Sequence, residues 1–265
     1  LTAQSPRRIE MMEIINWRMA QCQARDVEFH FNTWAQADDV KSLKPDVVIV
    51  ATGGMPDIDV LTSGNELAVS SWDILSGDVK LGKNVLIFDD AGDHPALQAA
   101  EILVNSGAKV EIMTPDRSFS PDIMAMNLVP YMRSLQDKDV TFTVTYRVES
   151  ARRVSHKNVD ESSSQIEVTL SSDYGPINKA SNKTRLVDQL VINHGTLPLD
   201  DLYFELKEHS SNQGELDHTA FIEGLPQISV RNPSGLYQLF RIGDAVAARN
   251  THAAIYDGLR LAKDI

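Results

Sequence analysis

Leu239-Phe240-Arg241-Ile242-Gly243-Asp244-Ala245, followed by Arg249-Asn250-Thr251-His252-Ala253-Ala254-Ile255-Tyr256-Asp257-Gly258, reads as a strand that stops at Gly-Asp and re-enters a helix of small residues. A glycine without Cβ lets the backbone come close to a ligand. The short carboxylate beside it can accept a hydrogen bond from a ribityl or ribose hydroxyl. The N-terminus of the new helix offers N–H groups and a favourable field to a pyrophosphate. The stretch therefore predicts a grip on a dinucleotide from its flavin side, with Gly243, Asp244, Arg249, His252 and Ala253 as contacts. An ordinary βα turn is the structural alternative.

A partner lies far upstream. Asp46-Val47-Val48-Ile49-Val50-Ala51-Thr52-Gly53-Gly54-Met55-Pro56 is a β-branched strand running into an Ala-Thr-Gly turn, and Ala51, Thr52, Gly53 and Gly54 join the predicted cofactor contacts. The same skeleton recurs as Asp188-Gln189-Leu190-Val191-Ile192-Asn193-His194-Gly195-Thr196-Leu197-Pro198, with Asp, Gly and Pro at matching offsets. Between the copies, Val85-Leu86-Ile87-Phe88-Asp89-Asp90-Ala91-Gly92-Asp93-His94-Pro95 is another strand, turn and helix start. The pattern predicts a layered α/β, Rossmann-like architecture with one dinucleotide-type domain inserted in another. Residues 1–82 and 198–265 form the outer domain and residues 83–197 the nested one.

Periodicity adds a helix from Arg7 to Ala24, short strands near Val27 to His30, and a short helix at Ser71 to Leu75. In the nested domain Ala96, Ala99, Ala100 and Leu103 share a helix face, Lys109 to Met113 is a strand, and Pro121 to Leu135 is a helix. Strands follow at Val140 to Thr145, Arg147 to Val154, Ile166 to Leu170 and Leu186 to Ile192. The polar tracts His156 to Gln165 and Ser171 to Lys183 read as hairpin loops.

These motifs, with the Pro6-Arg7-Arg8 opening, Ile15-Asn16-Trp17-Arg18, and Gly195-Thr196-Leu197-Pro198-Leu199-Asp200 before Leu202-Tyr203, resemble the C-terminal half of the Old Yellow Enzyme-like iron–sulfur flavoproteins. That group contains trimethylamine dehydrogenase and 2,4-dienoyl-CoA reductase, and the similarity is strongest to its N-methylproline or dimethylglycine demethylase branch. The resemblance implies FAD or ADP in this portion. It also implies an N-terminal (β/α)8 barrel, carrying FMN and a [4Fe–4S] centre, outside this chain. It further suggests an electron-transfer flavoprotein as a partner and a homo-oligomeric full-length protein.

Cys22 is the single cysteine, and such a cluster takes about four thiolates, so this chain supplies no cluster by itself. Its register with Met12, Ile15 and Met19 predicts a buried structural thiol. Residues 1–45 contain no glycine, so the G-x-G-x-x-G turn that opens a FAD-type domain is missing, and with it the first βαβ edge. We expect the chain to be part of a longer protein.

With 42% hydrophobic residues over 265 positions, the composition suits a globular protein of one or two domains. The apolar runs fall short of the roughly 18 residues a membrane span takes, and no signal peptide is evident, so a cytoplasmic setting is expected. A net charge of −12 argues against nucleic acid and anionic membrane as partners.

Aligning Val85 to Phe88 with the usual nucleotide strand puts Asp89, Ala91 and His94 where three fingerprint glycines would stand. Side chains and negative charge then oppose a diphosphate, which makes NAD(P) binding doubtful. Glu111 and Met113 to Thr114 are weaker candidates for a ribose contact. The expected function is the nucleotide-binding portion of an oxidoreductase that demethylates a small methylated amine and passes electrons to a protein acceptor. This chain would hold no catalytic residue and no metal ligand. An NAD(P)H-dependent flavin oxidoreductase of the dienoyl-CoA type and a non-catalytic ADP- or FAD-binding module are the alternatives. His94, His194 and His252 read as turn or capping residues, Asp93 as the cap of the helix after it, and Arg241 and Arg249 as possible phosphate neighbours.

Overall fold

The computed structural model describes residues 1–4, 6–154, 165–175 and 183–265. The chain divides into two compact units, each assembled from separate stretches: residues 1–27 with 56–195, and residues 28–55 with 196–265.

The first unit is built on a five-stranded parallel sheet. Its strands are β3 (Ala68–Ser70), β4 (Asn84–Asp89), β5 (Lys109–Met113), β6 (Thr141–Thr143) and β10 (Gln189–Asn193), in the order β3-β10-β4-β5-β6. Successive residues of a strand point to opposite faces, and both faces are covered. Val85, Ile87, Val110, Ile112 and Val191 pack under α3 (Ser71–Ser76), α4 (His94–Asn105) and α5 (Ala125–Asp137), against Ile74, Leu97, Leu103, Tyr131 and Leu135. Leu86, Phe88, Leu190 and Ile192 pack the other way, onto Val148, Val168 and Leu170. Those three belong to the antiparallel sheet of β7 (Arg147–Val154), β8 (Gln165–Ser171) and β9 (Thr184–Val187). Burial on both faces explains why β4 and β10 read as continuous apolar runs rather than as alternation.

The second unit holds a parallel pair, β1 (Val47–Val50) and β12 (Gln238–Arg241), with α2 (Ala37–Ser42), α6 (Asp201–Lys207), α7 (His218–Glu223) and α8 (Thr251–Asp264). Its core is Val50, Tyr203, Leu206, Tyr237, Leu239 and Ala245. The side-chain amide of buried Asn212 exchanges two hydrogen bonds of 2.9 Å with the Leu239 backbone, as a neighbouring strand would. Two three-residue strands, β2 (Gly54–Pro56) and β11 (Thr196–Pro198), pair where the chain crosses between units. A Cβ on Gly54 would meet the Leu197 carbonyl oxygen at 2.5 Å, so only glycine is accommodated there.

Several expectations are corrected. Residues 56–82 and the first helix do not group with the outer domain: β3 pairs with β10, α3 packs on α4, and residues 1–27 cluster with the first unit. The expected Leu186 to Ile192 strand is two strands in different sheets. The chain bends at Asp188, where its N–H donates to the Asn84 carbonyl at 2.8 Å and its carboxylate accepts from the Asn84 N–H at 2.9 Å. Pro121 to Met124 is not helical, because Met124 holds an extended ψ of 142° ahead of α5. Residues 27–30 form no strand. The first helix starts as a 3-10 segment, Pro6–Met11, before α1 (Met12–Gln23), and nothing in α1 is buried. Met12 and Ile15 are exposed and Cys22 is half-exposed, so the buried-thiol expectation fails. Residues 155–164 and 176–182, most of the two polar tracts, lie outside the described residues.

Ile112, fully buried under α4 and α5, tests the first core. I112A should cost about 2–5 kcal/mol through lost transfer energy and a residual cavity, read as a lower urea midpoint with an unchanged slope.

Candidate functional site

In the second unit the sequence-predicted contacts converge. Val50 pairs with Arg241, and the Ile242 N–H donates to the Val50 carbonyl at 3.0 Å, so the Ala51–Gly54 and Gly243–Asp244 turns leave the same carboxyl edge of the β1–β12 pair. That edge is where open α/β sheets present ligands. Gly53 and Gly243 hold positive φ of 75° and 62°, which a side chain would strain. Thr52 is exposed and its hydroxyl donates to the Leu199 carbonyl; the Leu199 N–H returns a 3.0 Å bond to Gly53.

The tail carries its own supports. Asp244 is half-buried and accepts from the Arg249 N–H at 3.2 Å through one carboxylate oxygen, Oδ1. Asn250 caps α8 through a 2.9 Å bond from the Ala253 N–H. Asp257, on α8, accepts from the Gly243 N–H at 3.1 Å and from the Arg249 guanidinium, fixing the turn against the helix. Arg241 is bonded to Asp200 at 2.5 Å and lies over the Tyr203 ring at 4.6 Å. Both arginines expected near phosphate are thus engaged by carboxylates. His252 is exposed, its ring stacked on Tyr256 at 6.4 Å. Asn250 was legible in principle as an N-cap residue ahead of a helix; Asp257 and Asp200 act across sequence gaps that no spacing rule reveals.

A cavity of about 810 Å³ adjoins this edge within the same unit, lined by Thr33, Trp34, Gln36, Lys41, Thr52 and Leu202 among others. Lys41 is paired to Asp38 at 2.6 Å. The positive-φ glycines, the half-buried Asp244 carboxylate and the adjoining cavity suit the ribityl or ribose part of a flavin or adenine nucleotide.

The nucleotide-type turn of the first unit is different. Asp89, fully buried at the end of β4, accepts from the Gly92 N–H at 3.0 Å and from the Asn193 side-chain amide at 2.9 Å. The same amide donates to Asp93 at 2.9 Å, and the Asn193 side-chain oxygen accepts from Ser71 at 2.8 Å. The Asp90 and Ala91 N–H groups donate to the Asn193 carbonyl at 2.9 and 3.1 Å. Asp93 stands at the N-cap of α4 without bonding a helix N–H, so its predicted capping bond is not made. His194 pairs with Asp90 at 2.8 Å. His94 meets Arg8 at 2.9 Å, and burial followed by the Arg8 charge pushes its pKa down. Glu111, a candidate ribose contact, is bonded to Arg185 at 2.7 Å and Thr143 at 2.7 Å. These residues do not fit the diphosphate of a nicotinamide dinucleotide, which needs unengaged amides and close backbone approach. Among the described residues there is no cluster of potential metal ligands, and no helix is long and apolar enough to cross a membrane.

Burial pushes the Asp89 carboxyl up to about 6, against the opposing bonds from Asn193 and Gly92; burial also raises Asp93. Between about pH 4 and pH 6 folded Asp89 keeps a proton that the unfolded chain has released, so its contribution to stability is lost as pH rises through that window. The change is on the order of 3 kcal/mol. Melting temperatures of wild type and D89N across pH 4–8 should diverge there, with the variant gaining at the high end.

No protein-family model matches the chain. It is 64% identical, over its whole length, to a "Probable N-methylproline demethylase" of Rhizobium meliloti (strain 1021). It is 34% identical, again over its whole length, to an "N,N-dimethylglycine/sarcosine dehydrogenase" of Chromohalobacter salexigens. A "Multifunctional alkene reductase/demethylase OYE" of Caballeronia cordobensis is 30% identical over 98% of the chain. The chain spans 37–38% of the length of these relatives. A solved structure of 6-hydroxypseudooxynicotine amine oxidase from Pseudomonas geniculata N1 matches 99% of the chain and 35% of its own, with a TM-score of 0.73 at 23% identity, and so shares its fold. Over nearly its whole length the chain is thus similar to a portion of proteins named as a probable N-methylproline demethylase, an N,N-dimethylglycine/sarcosine dehydrogenase and an alkene reductase/demethylase.

Proposed function

We propose that this chain is the FAD- or ADP-binding portion of an oxidoreductase that removes a methyl group oxidatively from a small N-methylated amine. The observation that carries the reading is the 64% identity, across every residue of the chain, to a probable N-methylproline demethylase. The dimethylglycine/sarcosine dehydrogenase relative supports the same substrate class. In this reading a (β/α)8 barrel outside this chain would hold FMN and a [4Fe–4S] centre, which would supply the redox chemistry of amine oxidation, with a protein such as an electron-transfer flavoprotein as acceptor and a homo-oligomeric full-length protein.

A bound flavin supplies the capacity to accept and pass on electron pairs. The residues of this chain bind and orient it. Asp244 accepts from a ribityl or ribose hydroxyl. Gly243 and Gly53 let the backbone approach, while Ala51, Thr52 and Gly54 shape the facing turn. His252 and Ala253, in the first turn of α8, would lie nearest the diphosphate, with the positive end of the helix behind them and the Ala253 N–H kept by Asn250. Arg249, held by Asp257, adds positive charge beside that turn. No residue here serves as acid, base or nucleophile.

The longest natural protein containing this chain, purified and denatured, should release FMN together with FAD or ADP. D244A should release FMN but at least about tenfold less of the second nucleotide, since a hydrogen bond to a charged group contributes about 1.5–3 kcal/mol. An undiminished second nucleotide would remove Asp244 from the site. Bleaching of the wild-type flavin by NADH, and not by an N-methylated amine, would overturn the demethylase reading.

A further inference from the structure

Between a strand and a helix, a phosphate-binding turn works because its backbone N–H groups lack protein acceptors and converge on the ligand. In the β4–α4 turn those groups are already occupied. Asp90 and Ala91 donate to the Asn193 carbonyl, and Gly92 donates to Asp89 Oδ1. The Asp89 carboxyl is fully buried, its second oxygen, Oδ2, has no hydrogen-bond partner, and Asn193 ties it to Asp93 at the start of α4. The outer side of the turn is closed as well. The Gly92 carbonyl accepts from the Asp122 N–H at 3.2 Å, and a Cβ on Gly92 would meet the Pro121 ring at 2.7 Å.

We propose that Asp89 is a built-in anion: its carboxylate takes the Gly92 N–H that a ligand phosphate would take, and so keeps the nucleotide-type turn of the first unit closed to dinucleotides. Two consequences separate this from a merely degenerate turn. Of the three turn amides only that of Gly92 is held by a side chain, so removing the carboxylate exposes this N–H while Asn193 still holds the other two. The sheet, helix and glycine behind it remain, so the opened turn regains affinity for a small polyanion. The turn lies in the first unit and every proposed flavin contact lies in the second, so the two readings stand or fall separately.

Amide resonances of the isotopically labelled 265-residue chain provide the test. In wild type the Asp90, Ala91 and Gly92 amides should stay unmoved by millimolar NADH or inorganic pyrophosphate, with the Gly92 N–H protected from exchange. In D89A the Gly92 N–H should exchange at least about tenfold faster, and pyrophosphate should shift it saturably. D89N keeps the shape but makes the acceptor neutral, so it should move the Gly92 proton upfield while leaving pyrophosphate without effect; it carries the test if D89A does not fold. Saturable shifts at Asp90 to Gly92 in wild type would overturn the proposal. So would a Gly92 resonance unchanged in D89N, or an opened D89A turn that ignores pyrophosphate.

Discussion

The side chain of Asn193 ties together the carboxyl edge of the first unit. Its amide nitrogen holds two carboxylates, Asp89 and Asp93, and its oxygen takes the Ser71 hydroxyl from the start of α3. Its orientation follows from those partners, since two acceptors require the donor end to face them. The Asn193 backbone carbonyl receives two more amides from the same turn. One residue at the end of β10 thus joins β4, the turn, α4 and α3. Such a network sits comfortably in low dielectric only where nearly every polar atom is satisfied. Here the exception is the second Asp89 oxygen, which has no hydrogen-bond partner, and burial of the group raises its carboxyl to about 6.

The two units use one chemical idea in opposite ways. In the second, Gly243 and Asp244 follow β12, with the Gly243 N–H held by Asp257, the start of α8 capped by Asn250, and Asp244 half-buried. In the first, the acidic residue points inward at its own turn. An aspartate next to a strand end is therefore an ambiguous sign by itself. In the proposed readings a ligand contact differs from a ligand replacement by burial, half-buried for Asp244 and complete for Asp89.

Much of the fold was legible because sheets covered on both sides write themselves as apolar runs. Val85 to Phe88 was readable for that reason, whereas Lys109 to Met113 was readable because Lys109 and Glu111 alternate with buried Val110 and Ile112. The run from Leu186 to Ile192 misled, since a strand that changes sheets at Asp188 looks the same as one that does not. Ala68–Ser70 is too short to carry a period, so its place in the inner sheet, and with it the unit boundary, could not be read. Cys22 failed for a different reason: helical register shows which residues share a face but not whether anything packs on it. At the candidate site the glycines and Asp244 were visible as motif, whereas Asp200 and Asp257 matter through contacts that only the folded chain makes.

The Asp57 N–H donates to the Gly195 carbonyl at 3.0 Å, so residues 56–195 begin and end side by side. A segment whose ends meet can be spliced into a single loop of a host without prising that loop apart. The host would fold around it at about the entropic cost of an ordinary connection. Matching Gly-x-x-Pro turns stand at the two crossings, and the meeting of the ends marks where a different insert could be grafted.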